Sequence, residues 1–123
     1  MRAIGLAFVS TLLIAGVLIA GVAQAQIVGG QYRVQGTNPD GSAYAGTATI
    51  APSSNTTCRM IWRTGTTSAG ICMMAGKSLA ASYSLSGKIG LVLYEMQPDG
   101  SLKGVWTVAD QPGAGTETLI PAK

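Results

Sequence analysis

The side chains able to do chemistry in this 123-residue chain are two cysteines, five acids, four tyrosines and two tryptophans; there is no histidine. The usual general base, the serine and cysteine triads and the commonest transition-metal ligand are therefore all missing. Among the acids, Asp40 and Asp99 sit in Pro-Asp-Gly-Ser turns, where Asp is favoured for backbone reasons, while Glu95, Asp110 and Glu117 have no recognisable partner. Met60, Met73, Met74 and Met96 suggest a soft-metal site only until strand alternation is applied, which sends Met73 and Met74 to opposite faces. The chain thus reads as non-enzymatic, with no catalytic residue, no metal site and no cofactor.

Cys58 and Cys72 are the only cysteines and lack Cys-x-x-Cys spacing. In an exported chain they predict a disulfide, which at this loop length contributes about 3 kcal/mol.

The elements that position these groups announce themselves through a repeated turn. Pro39-Asp40-Gly41-Ser42 and Pro98-Asp99-Gly100-Ser101 each lie between β-rich runs, the signature of a hairpin. Turn signals recur along the chain, and no segment sustains a helical apolar period. Eight strands are expected near residues 32–36, 43–50, 58–64, 70–74, 78–85, 89–96, 102–109 and 116–120. Short links make them an antiparallel meander, and eight such strands close into a small calycin-like all-β barrel.

Alternation then chooses the inner face. It places Tyr32, Val34 and Gly36 inside on the first strand, Tyr44, Gly46, Ala48 and Ile50 on the second, Cys58, Met60 and Trp62 on the third, and Gly104, Trp106 and Val108 on the seventh. Arg59 and Arg63 point outward, away from Trp62, which argues against a nucleic-acid platform. Two interior outcomes compete: the aromatic side chains fill the barrel, or the small inward residues Gly36, Gly46, Ala48, Ala81 and Gly104 leave a pocket lined by Trp62, Trp106, Tyr44 and Tyr83. The sixth strand is apolar on both faces. With Val92, Tyr94 and Met96 inside, Ile89, Leu91 and Leu93 face outward as a candidate partner surface. A second copy, a protein partner or the segment Gln26 to Gly30 must cover them.

Residues 1–25 read as a secretory signal peptide: Arg2, then an apolar stretch to Val22, then Ala23-Gln24-Ala25 as the cleavage site. The mature chain, residues 26–123, is one small domain, periplasmic or secreted, with no membrane anchor after cleavage. Removing Arg2 leaves seven basic and five acidic residues, too weak and scattered a net charge for a nucleic-acid partner.

Three segments carry a family likeness: GTNPDGSAYAGTATI, then Cys58-x-x-x-Trp62-x-Thr64-Gly65, then GLVLYEMQPDGSLKGVWTVADQPGAGTETLIP. From Gln31 to Pro121 the chain resembles small exported bacterial proteins often labelled fibronectin-binding protein. The resemblance implies adhesion to a host matrix protein such as fibronectin. In architecture alone the reading also looks like periplasmic barrels that inhibit proteases or lysozyme, and like avidin and lipocalin barrels that hold small ligands. Function does not follow from that likeness.

Overall fold

The computed structural model describes residues 28–122. The signal-peptide reading of residues 1–25, and with it the cleavage site, lies outside the described residues. Eight antiparallel strands run β1 (Gly30–Thr37), β2 (Ala43–Pro52), β3 (Thr57–Arg63), β4 (Thr67–Ala75), β5 (Ser78–Leu85), β6 (Lys88–Met96), β7 (Leu102–Val108) and β8 (Gly115–Pro121). Each pairs with its sequence neighbour, and β8 pairs back onto β1, so the sheet is a closed barrel with no free edge. While β3 and β7 each end one residue early, most of the observed strands extend the expected ones, by up to three residues at the start of β4. There Thr67, Ser68 and Ala69 pair with Arg63, Trp62 and Ile61 despite their polar, glycine-flanked context.

The two Pro-Asp-Gly-Ser turns share one mechanism. In the first, the Asp40 carboxylate accepts hydrogen bonds from the Ser42 amide (2.9 Å) and hydroxyl (2.6 Å), and Gly41 takes a left-handed φ of 90°. Asp99 repeats this with the Ser101 amide (2.9 Å) and hydroxyl (2.7 Å), beside Gly100 at φ 88°. Those bonds, chiefly from the serine hydroxyls, hold both carboxyls below the usual range. A left-handed residue costs little only for Gly, so the turn fixes its own sequence.

Alternation holds around the barrel. Val34, Ala48, Ile50, Met60, Leu79, Tyr94, Leu102 and Leu119 are essentially inaccessible, and Arg59 and Arg63 are exposed. Cys58 and Cys72 stand directly opposite one another on β3 and β4, with Cα atoms 4.9 Å apart, and are disulfide-bonded. The barrel core also takes in Val28. Val28 therefore packs inside, at the end where β2 runs into β3, and cover of the outer face by Gln26 to Gly30, one of the three alternatives, is not made by its described residues. Leu91 remains 58% exposed, with Ile89 and Leu93 beside it.

Candidate functional site

Four aromatic side chains and one carboxylate converge on the barrel end that carries the β1–β2, β3–β4 and β5–β6 turns. They line a partly open cavity of about 210 Å³, walled by Tyr44, Trp62, Tyr83, Trp106 and Glu117, with Thr64, Thr66 and Ser68 among its polar groups. Trp62 and Tyr83 pack with ring centroids 5.3 Å apart, and Tyr44 meets Trp106 edge-on at 6.2 Å. All four aromatic residues named from the sequence thus line one space. The small inward residues, one of the two competing accounts of the interior, do not create it. The Tyr44 ring lies over Gly36 and the Tyr94 ring over Gly104, so that room is already filled, and the open volume lies beside Ser68 and the β3–β4 turn.

Glu117 is the feature that sequence reasoning missed. It was expected to lack a partner, yet it is 6% exposed and accepts three hydrogen bonds. Tyr44 donates to Oε1 (2.7 Å), Trp62 Nε1–H donates to Oε2 (3.0 Å), and the Tyr94 hydroxyl donates to Oε2 by a short bond. Trp62 Nε1–H also lies 3.1 Å from the Tyr94 hydroxyl oxygen. The alternation that puts Leu119 inside puts Glu117 inside as well, and this was the available signal.

The register explains how two tyrosines reach one carboxylate. Glu117 on β8 stands between Gly36 on β1 and Gly104 on β7. Those glycines in turn stand opposite Tyr44 on β2 and Tyr94 on β6. The row across five strands is therefore Tyr44, Gly36, Glu117, Gly104, Tyr94. A Cβ on Gly36 would collide with the Tyr44 ring, and one on Gly104 with the Tyr94 ring. Glycine lets each ring lie across the neighbouring strand and deliver its hydroxyl to Glu117. Trp106 lies over Gly115 in the same way, and Tyr83 over Gly90.

Burial, and then the Glu117 charge, push the phenols of Tyr94 and Tyr44 far up, and Tyr83 to about 12. All three remain neutral donors at ordinary pH. The described cavity lining contains no Lys or Arg, so every recorded partner of the carboxylate is neutral.

No family model matches this chain. No curated protein matches it either. The fold has solved counterparts. A redesigned β-barrel is 18% identical at a TM-score of 0.70, over 78% of this chain and 92% of that one. A second redesigned barrel, mFAP1, bound to DFHBI, is 20% identical at a TM-score of 0.68, over 78% and 96%. A mutant of the fluorescent protein UnaG is 12% identical at a TM-score of 0.50, over 76% and 95%. At such identities the likeness is one of fold alone.

The outer wall offers a second feature. Ile71 and Met73 on β4, Ile89, Leu91 and Leu93 on β6, and Val105 on β7 are each more than half exposed. Register sets Met73, Ala80, Leu93 and Val105 in one row, and Ile71, Ser82, Leu91 and Thr107 in the next. Small residues on β5 thus floor a groove walled by larger apolar ones, open to solvent and about 670 Å³ in volume. It holds no convergent polar chemistry, whereas the interior cavity does.

Proposed function

We propose that this protein is a non-enzymatic, exported binding barrel that holds a small ligand in the chamber above Glu117. The observation that carries the reading is the convergence of four aromatic rings and a hydrogen-bonded carboxylate on one cavity. A barrel of this size is just wide enough for side chains to fill, so a polar-tipped space that its side chains leave open is room for a ligand. A barrel of similar fold solved bound to DFHBI supports a small-ligand reading. The volume lies below the roughly 300–1,000 Å³ of drug-sized sites, which limits the occupant to about one ring. Export is supported by the leader pattern of residues 1–25 and by the buried disulfide, which persists in oxidising compartments.

The test is native mass spectrometry of protein purified from its own host, with tryptophan fluorescence before and after unfolding and refolding. A bound mass that is lost on unfolding, with a change in Trp62 and Trp106 emission, is expected. Protein that carries no added mass and shows no thermal shift across a panel of single-ring compounds would defeat the reading.

The exposed apolar face favours a second reading, contact with a protein partner, which is the matrix-adhesion role implied by the sequence resemblance. Leu91→Lys distinguishes it: loss of binding to immobilised fibronectin by a folded variant supports adhesion, and unchanged binding refutes it at this face.

A further inference from the structure

The proposed ligand site carries one more piece of chemistry, its charge. We infer that the chamber selects an organic cation of about one ring in size, an amine or quaternary ammonium compound, with Glu117 as counter-ion and the surrounding rings as a cage. The inference rests on the ligand-binding reading above and names the class of ligand.

An ionised carboxylate offers about four acceptor positions across its two oxygens, and the three recorded donors leave one on Oε1. Tyr44 leaves that oxygen room. Its hydroxyl also lies 3.3 Å from the Thr116 carbonyl, so rotating its proton there frees Oε1 for a ligand N–H. Trp62, Trp106, Tyr44 and Tyr83 line the same volume, and a cation is drawn to an aromatic ring more strongly than a neutral group of the same size.

The alternatives fare worse on the same residues. An anion would meet Glu117 with no Lys or Arg in the lining to offset it. At the rim, Asp40 and Lys88 line a neighbouring hollow with Trp106, one charge of each sign, and so favour neither. A purely structural role, tethering Trp62, Tyr44 and Tyr94, needs only an acceptor. A buried charge held by neutral donors alone is an expensive way to provide one, because desolvation of the ion is not repaid by a counter-charge. A cationic occupant supplies that counter-charge.

The experiment compares three single-ring probes of near-equal size, benzylammonium, benzyl alcohol and benzoate, by calorimetry and by quenching of tryptophan emission at neutral pH. Wild-type protein should bind benzylammonium about tenfold or more tighter than benzyl alcohol, with benzoate weakest. Glu117→Gln, its fold checked by near-ultraviolet circular dichroism, should lose the preference for benzylammonium over benzyl alcohol. Benzyl alcohol or benzoate binding as tightly as benzylammonium overturns the cation inference and leaves the cavity reading standing. Failure of all three probes to bind overturns both. The wild-type comparison decides the matter even if Glu117→Gln does not fold.

Discussion

Removing the Tyr94 hydroxyl tests the charged character of the buried cluster. Tyr94→Phe deletes a donor to Glu117 Oε2 from a residue that is 1% exposed, so no water replaces it without rearrangement. Trp62 loses one acceptor, the Tyr94 oxygen, but keeps Glu117 at 3.0 Å, so no second donor is orphaned. A hydrogen bond to a charged group contributes about 1.5–3 kcal/mol net, whereas a neutral one contributes about 0.5–1.5 kcal/mol. Tyr94→Phe should therefore destabilise the wild-type protein by about 2 kcal/mol. In a Glu117→Gln background the same substitution should cost about 1 kcal/mol, leaving a coupling of about 1 kcal/mol between the two positions. Urea denaturation of the four proteins reads this directly. With a slope on the order of 1–1.5 kcal/mol/M for so small a domain, the wild-type shift is more than 1 M in midpoint. If Tyr94→Phe cost the same in both backgrounds, or less than about 0.5 kcal/mol in the wild type, the picture of a carboxylate held by the Tyr94 hydroxyl would be wrong.

Four further outcomes rest on the same structure. Reduction of Cys58–Cys72 should lower stability by about 3 kcal/mol, and intact protein should take up an alkylating agent only after reduction, by mass. Alkali should destabilise the fold: tyrosines of the unfolded chain lose their protons near the ordinary value of 10.0, while Tyr83 keeps its proton to about 12 and Tyr44 and Tyr94 hold theirs still longer. The unfolded state then binds fewer protons, so melting temperature should stay flat from neutral pH to pH 10 and fall between pH 10 and 12, with tyrosinate absorbance appearing late. Ser68→Leu, opposite Trp62 in register and lining the cavity, should raise the urea midpoint slightly while abolishing binding of single-ring probes; retained binding would place the ligand elsewhere. Leu91→Lys on the outer face should change monomer stability by no more than about 0.5 kcal/mol, whereas Val92→Lys, one residue on and 4% exposed, should prevent folding, as circular dichroism would report.

Much of the fold was legible because its rules are local. Turn residues are fixed by backbone geometry, as at Gly41 and Gly100, and a period of two sorted Cys58, Met60 and Trp62 from Arg59 and Arg63 without any knowledge of the neighbours. The candidate site was half legible. Its aromatic residues declared themselves by face, but Glu117 draws its donors from positions 73, 55 and 23 residues away, a coincidence that exists only once β8 closes onto β1. The role of the interior glycines was hidden for the same reason. Taken singly they look like space, whereas in register Gly36 and Gly104 carry the rings of Tyr44 and Tyr94.

That register bears on what the chamber is for. A barrel that needed only stability would set a leucine on β8 at position 117, as it does at Leu119, and would not need a glycine on each side to let two tyrosines reach inward. The opposite end follows that simpler rule, closed by Val28, Leu79, Leu102 and the disulfide. One end of the same barrel is thus packed as a core, while the other spends buried hydrogen-bonding groups and unfilled volume on holding a single carboxylate in place. Such groups contribute less to stability than apolar packing of equal volume, an asymmetry that agrees with the proposed binding site at this end of the barrel.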